Sequence, residues 1–330
     1  MNAVQPRAGV PRRILAIDGG GIKGVFPAAF LADLESELDE PLASHFDLIV
    51  GTSTGGIIAL ALGLGIPAVD ILKFYEEKGP TIFRGSRRLG LLRQAVSAKY
   101  DPAPLRTALE EVFGKRRLGE ATTRLVIPSL NLSTGTVNVF KTAHHERFER
   151  DYKLLAVDVA MATAAAPTYF PTHRLSNGVP LVDGGTWANN PMGTAAVEAV
   201  GVLEWSKGDI DLLGVGCTEP ATNFHARQAR FLGLFNYWAK RIVKVFMAGQ
   251  SSASVGSAML LLGHEHVVRV SPTVDERQYQ LDGVAGIPEL RALGAEQARI
   301  QLPLLRERFF AKPADRFLPI RTLDDQETAT

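Results

Sequence analysis

Short apolar runs alternate along the chain with longer segments whose apolar residues recur at helical spacing. Ile14 to Ile17 is an apolar run ending at a glycine-rich turn, the pattern of a buried strand. Gly24 to Leu38 follows with Val25, Ala28, Ala29, Ala32 and Leu38 on a helical face. Phe46 to Val50 and Ile57 to Leu64 repeat this strand–glycine turn–helix form. Asp70 to Lys78 and Leu105 to Phe113 read as helices, the second stopped by Gly114. Arg124 to Leu130 and Thr136 to Phe140 flank Ser133-Thr134-Gly135 and predict a hairpin. Tyr152 to Ala166 predicts an alanine-rich helix ended by Pro167. Val179 to Val182 reads as a strand, Pro191 to Leu203 as a helix and Ile210 to Val215 as another buried strand. Such alternation implies an α/β fold of three layers, a mainly parallel central sheet covered on both faces. In such folds the functional loops gather at the carboxyl ends of the strands.

The pattern also sets the expected organisation. Residues 1–13 form an N-terminal tail, 14–216 the core, 217–311 a helical C-terminal part of the same domain and 312–330 a polar C-terminal tail. The 217–311 part is a candidate lid, membrane or effector region. Leu48 to Val69 carries no charge and is long enough to cross a bilayer. Its glycines, hydroxyl residues and Pro67 instead predict a buried strand and a buried helix, and no membrane span is expected.

Composition changes this picture little. A hydrophobic share of 46% with 22% charged residues over 330 residues is that of a globular protein with a sizeable core. Cys217 is the only cysteine, so no intramolecular disulfide can form and a reducing compartment is expected. Charge adds more. Lys78 to Tyr100 has no acid and carries Lys78, Arg84, Arg87, Arg88, Arg93 and Lys99. Pro220 to His264 also has none and carries Arg227, Arg230, Lys240, Arg241 and Lys244. Together they hold 11 of the 36 basic residues, leaving 25 basic against 35 acidic elsewhere. Either these stretches face an anionic partner, a lipid headgroup or a nucleotide phosphate, or acids from elsewhere approach them in space. Arg84, Arg87, Arg88, Arg227 and Arg230 are the candidate contacts for an anionic ligand, because the guanidinium fork can hold two phosphate oxygens. From Phe231, the residues Leu234, Phe235, Trp238, Ile242, Val245 and Phe246 recur at helical spacing beside Lys240, Arg241 and Lys244. That stripe suits either a bilayer interface or the core.

Candidate chemistry sits in three places. Gly51-Thr52-Ser53-Thr54-Gly55 joins a predicted strand to a predicted helix, the form of a nucleophile elbow that lifts the Ser53 hydroxyl out of a sheet. Asp18-Gly19-Gly20-Gly21-Ile22-Lys23-Gly24 lies upstream, and backbone N–H groups of Gly19, Gly20 and Gly21 can approach an oxyanion because no side chain intervenes. The Thr54 N–H is a further candidate donor. Asp183-Gly184-Gly185 ends an apolar run, so Asp183 is either a base in a desolvated cleft or a turn-capping carboxylate. None of His45, His144, His145, His173, His225, His264 and His266 sits in a loop resembling a catalytic position, and no metal ligand set accompanies His144-His145. Gly19-x-Gly21-x-x-Gly24 with Asp39 also matches a dinucleotide fingerprint, but that reading leaves the Ser53 and Asp183 motifs unexplained.

These residues resemble the patatin-like phospholipase family. The likeness rests on the glycine segment at 18–24, the elbow at 51–55 and Asp183-Gly184-Gly185. Ala164 to Pro171 and Trp187-Ala188-Asn189-Asn190-Pro191 extend it over about Ile14 to Gly216. Lys23 stands where the family often has arginine, and Gly216-Cys217-Thr218 replaces a more usual Gly-Thr-Gly. The resemblance implies a Ser53–Asp183 dyad, no catalytic metal or other cofactor, and hydrolysis of glycerophospholipid acyl esters. Within the family the chain looks most like bacterial effectors of cyclic-oligonucleotide anti-phage signalling. Membrane phospholipid as substrate, a cyclic dinucleotide activator and a cytoplasmic enzyme that touches the inner membrane during activity are then expected. No nucleic-acid polymer is expected as a partner. The alternatives are a constitutive lipid or small-ester hydrolase and a nucleotide-binding module without activity.

Overall fold

The computed structural model of the protein describes residues 11–84, 98–220, 239–274 and 280–324. In chain order the strands are β1 (Arg12–Ile17), β2 (Leu48–Gly51), β3 (Arg124–Asn131), β4 (Thr136–Lys141), β5 (His173–Arg174), β6 (Pro180–Asp183) and β7 (Ile210–Val215). β8 (Glu219–Pro220), β9 (Val267–Val270) and β10 (Thr273–Val274) complete them. The longer helices are α1 (Val25–Glu35), α2 (Thr54–Gly63), α3 (Ala68–Ile82), α4 (Ala103–Phe113), α5 (Ala156–Thr163), α6 (Met192–Gly201), α7 (Ala239–Leu262) and α8 (Ile287–Arg308).

The main sheet runs β5-β6-β3-β2-β1-β7-β9, with β4 on β3. β1, β2 and β7 are buried on both faces, and apart from Arg12, Arg13 and Asp211 their residues are apolar or glycine, as that burial requires. The strand period of two then divides the core. Leu15, Ile17, Ile49 and Leu213 pack beneath α1, α2, α3 and α8, while Ile14, Ala16, Leu48 and Leu212 pack against α6 and the end of α7. This is the expected three-layer arrangement. The β3–β4 hairpin forms as predicted, with Gly135 at φ 66° in its turn. Leu48 to Val69 folds inward as β2, the elbow, α2 and the start of α3.

Three features differ from the sequence expectations. Tyr152 to Ala166 is not one helix: only Ala156–Thr163 is α-helical. Leu118 N–H bonds the Leu154 carbonyl and Ala156 N–H bonds the Arg116 carbonyl, which holds the entry extended. The Ala165 carbonyl accepts the Asp183 N–H beyond the helix end. These tertiary bonds override alanine's helix propensity. Secondly, β6 runs antiparallel to β3 rather than joining the parallel set. Thirdly, the part beyond 216 is not wholly helical, because β9 pairs in parallel with β7 and extends the main sheet past the expected core. At the chain ends, Arg12 and Arg13 are part of β1, and residues 312–324 are tied down rather than loose. Ala314 N–H bonds Ser44, Ile320 N–H bonds Ala143, and Phe317 is buried beneath the Arg124 guanidinium.

Candidate active site

The register of β3 brings the chemistry together. β2 pairs with Arg124 to Val126, and β6 pairs with Ser129 to Asn131. β4 occupies the other edge over Val126 to Asn131. β2 and β6 therefore enter one edge of β3 from opposite ends, and their termini point at each other. Ser53 follows β2 and Asp183 ends β6.

Ser53 sits at φ 56°, ψ −122°, a conformation that side-chain-bearing residues rarely adopt and that costs roughly 1–3 kcal/mol. Its N–H is held by Thr163 Oγ1 at 3.0 Å, whose own hydroxyl donates to the Pro128 carbonyl. The flanking glycines have no room for a side chain: a Cβ on Gly51 would lie 2.1 Å from the Gly55 carbonyl oxygen, and one on Gly55 2.3 Å from that of Ile17. The Ser53 hydroxyl donates to Asp183 Oδ2 at 2.6 Å, and the Gly185 N–H donates to Oδ1 at 2.6 Å. Burial pushes the Asp183 carboxyl up to about 6, partly offset by these two hydrogen bonds. The carboxylate is thus a better proton acceptor than a solvated one. Gly184 lets the turn pass against β3, since a Cβ there would meet the Pro128 carbonyl oxygen at 2.4 Å.

A cavity of about 640 Å³ opens over the pair. Ile57, Phe74, Ile82, Phe83, Leu105 and Phe170 give it an apolar wall, and Phe246, Met247 and Gln250 of α7 form another side. Gly20, Gly21 and Thr54 line it beside Ser53, and their N–H groups donate to no described atom. Gly19 corrects the sequence expectation. Its N–H is already given to the Asn189 carbonyl at 2.9 Å and it does not line the cavity. Asp18 lies beneath the glycine segment, gripped by both terminal nitrogens of Arg269 at 2.9 and 2.6 Å. Lys23 reaches the Thr218 carbonyl at 3.4 Å, and Gly24 sits against Thr54, whose Oγ1 would be 2.4 Å from a Cβ.

Several residues that hold this site carry no distinguishing signal in the sequence. Asn189 clips the glycine segment through its carbonyl on Gly19 N–H and its Nδ2 on Gly19 O at 3.2 Å. Its own N–H is fixed by Gln250 Oε1 at 2.7 Å. The Trp187-to-Pro191 block pointed near it without giving a role. Arg269 and Gln250 lie in stretches with no motif. Among the described residues no histidine lines the cavity: His144 is paired with Glu198, His266 with Asp211, and His173 lies near Asp158. His225 lies outside the described residues.

Of the candidate anion contacts, Arg84 is exposed one residue beyond Phe83, while Arg87, Arg88, Arg227 and Arg230 lie outside the described residues. Acids do approach the first acid-free stretch in space, Glu111 on Lys78 and Asp282 on Lys99. The stripe from Phe231 to Trp238 also lies outside the described residues. Its end falls on α7, where Val245–Leu262 is long and apolar enough, by length and composition, to cross a membrane, yet only 11% of that window is buried.

A three-layer α/β sandwich with a strained serine at a strand–helix elbow, facing a buried carboxylate, defines an elbow-serine α/β protein. The family model described as patatin-like phospholipase matches residues 15–196, more than half the chain. The chain belongs to that family and has its fold. It is 47% identical over 186 residues to a protein from Pseudomonas aeruginosa named cGAMP-activated phospholipase, spanning 56% of this chain and 55% of that relative. A protein of the same name from Escherichia coli is 31% identical over 96% of both chains. One from Vibrio cholerae is 33% identical over 76% of both.

Proposed function

We propose that the protein hydrolyses acyl esters of glycerophospholipids, with Ser53 as nucleophile and Asp183 as base, and that a cyclic dinucleotide switches it on. The 2.6 Å hydrogen bond from Ser53 to a buried carboxylate, at the floor of an apolar cavity, carries this reading. Ser53 Oγ attacks the acyl carbonyl carbon while Asp183 Oδ2 takes its proton. The carbonyl oxygen becomes an oxyanion within reach of the Gly20, Gly21 and Thr54 N–H groups, each such donor being worth ~3 kcal/mol in the transition state. The acyl C–O bond breaks, Asp183 returns the proton to the departing lysophospholipid oxygen, and Ser53 keeps the acyl group. Water then attacks the acyl-enzyme with Asp183 taking its proton, and the fatty acid leaves as Ser53 Oγ recovers that proton. The apolar wall from Ile57 to Phe170 suits the acyl chain.

Control by a nucleotide draws its support from the relatives' names and from the basic stretches around Arg84, Arg87, Arg88, Arg227 and Arg230. The same reading makes the protein a nucleotide-binding effector of anti-phage defence, cytoplasmic and peripherally bound to the inner membrane when active. Phe246 supports membrane contact, being 67% exposed while lining the cavity. The test is fatty-acid release from phospholipid vesicles and from a short soluble ester, with and without cGAMP and a panel of cyclic di- and trinucleotides. Release that needs Ser53, Asp183 and one nucleotide supports the reading in full. Equal release without nucleotide leaves a constitutive hydrolase, activity confined to the short ester leaves an esterase, and nucleotide binding without release leaves a binding module.

A further inference from the structure

The turn formed by residues 280–283 lies across the glycine segment from a part of the chain outside the 15–196 family match. The Leu281 carbonyl accepts the Ile22 N–H at 2.9 Å. It also lies so close to Gly21 that a Cβ there would be 2.2 Å from its oxygen. Gly21 also takes a positive φ of 58°, a conformation that favours glycine. Leu281 lines the cavity; Asp282 does not, and turns its carboxylate the other way. That carboxylate accepts hydrogen bonds from Tyr100 OH at 2.6 Å and from Lys99 Nζ, and its side chain is 11% exposed. Lys99 and Tyr100 are themselves fixed, their N–H groups bonding the Thr168 and Tyr169 carbonyls at 2.9 and 2.8 Å. Those two residues form part of the cavity wall. A continuous chain of contacts therefore runs from the cavity wall through Lys99 and Tyr100 to Asp282, and from Leu281 to the N–H groups of the glycine segment.

We propose that Asp282 is a positioning residue for the oxyanion donors: anchored by Lys99 and Tyr100, it presses the Leu281 carbonyl onto Gly21 and Ile22 and so fixes the direction of the Gly20 and Gly21 N–H groups. Asp282 touches no reacting atom, so its effect passes entirely through the peptide at 281. The inference rests on the hydrolase reading of Ser53. A misdirected donor weakens transition-state binding more than substrate binding, so the loss falls on kcat and not on KM.

The experiment measures kcat and KM of the full chain on a short soluble ester, per serine titrated with a fluorophosphonate, together with Tm. Asp282→Ala should lower kcat per titrated serine about 10- to 100-fold, with KM within about twofold. Asp282→Asn keeps an acceptor for Tyr100 and should recover most of that loss. Tyr100→Phe removes one anchoring bond and should give a smaller fall in kcat. A purely structural role would lower Tm and the titratable fraction while leaving kcat per titrated serine unchanged. That result, or unchanged kcat in all three variants, overturns the inference while leaving the hydrolase reading intact. A wild-type protein with no titratable serine and no turnover, both alone and with cGAMP or any of the cyclic di- and trinucleotides, sinks both.

Discussion

The Ser53 hydroxyl and the Asp183 carboxylate meet at 2.6 Å in a gap along one edge of β3, which β2 approaches from one end and β6 from the other. Their separation is set by β3: β2 last pairs at Val126 and β6 last pairs at Ser129, three residues further on. The two groups thus depend on strand register rather than on a flexible loop.

Ser53→Ala and Asp183→Asn should each lower ester hydrolysis by about 10⁴-fold or more, since nucleophile and base act as a unit. Circular dichroism should show both variants folded. A third variant isolates the backbone. Ser53→Gly loses the same hydrogen bond as Ser53→Ala but relieves the φ of 56°, so it should be more stable than the alanine variant by ~1 kcal/mol in urea denaturation. Equal stabilities would mean that the elbow carries no strain.

The raised pKa of Asp183 gives the reaction an acid limb. Only the ionised carboxylate can take the Ser53 proton, so kcat/KM should fall as pH drops through about 6 and level off above it. Stability has the opposite dependence. The charged carboxylate is disfavoured in the fold relative to the unfolded chain, so its cost to stability is full above pH 6. That cost disappears progressively as pH falls from 6 toward the ordinary carboxylate range. Asp183→Asn should flatten that part of the Tm–pH curve. An activity profile flat from pH 5 to 8 would remove Asp183 as the base.

Much of this fold is written in contiguous residues. β1, β2 and β7 are legible because burial on both faces demands largely apolar runs, and the elbow because Gly51 and Gly55 flank Ser53 within five residues. The direction of β6 was not legible, because an apolar run carries no arrow. Nor was the short α5, whose ends are set by bonds to Arg116, Leu118 and Asp183. Gly19 reads as an oxyanion donor in the sequence for a similar reason: the residue that takes its N–H, Asn189, lies 170 positions away. Backbone carbonyls such as those of Asn189 and Leu281 belong to every residue type, so the amino-acid sequence cannot mark which of them will hold the glycine segment.

The exposed face of α7 yields a prediction about membrane contact. Phe246 and Leu260 lie fourteen residues apart, about 21 Å along a helix and on nearly the same side of it. Leu260 is 83% exposed and does not line the cavity, so it can be changed without touching the site. Leu260→Asp should weaken sedimentation with anionic vesicles by roughly 5- to 30-fold, the equivalent of ~1–2 kcal/mol of lost apolar burial. Hydrolysis of a short soluble ester should stay at the wild-type rate. Undiminished vesicle binding by this variant would show that α7 does not enter the lipid.

Arg269 should prove a major support of the site's framework. It brings two nitrogens to the buried Asp18 and a further contact at 3.1 Å to Glu219, linking the end of β1 to β8 from its place on β9. Removing one partner of a buried ion pair leaves the other charge desolvated and unpaired, which costs about 3–5 kcal/mol. Arg269→Met should therefore lower stability by about that amount, whereas cutting the exposed Arg321–Glu149 pair should cost under about 1 kcal/mol. The loss should also depend on pH in a definite direction. Burial already raises the Asp18 pKa, and without the guanidinium only the weaker pull of Lys23 opposes that shift, so the folded variant binds a proton more tightly than the unfolded chain. Its stability should rise as pH is lowered toward 5, narrowing the gap to wild type. Urea denaturation of both proteins at pH 8 and pH 5 tests this, and a gap that stays constant or widens at pH 5 would mean that Asp18 is not the charge Arg269 neutralises.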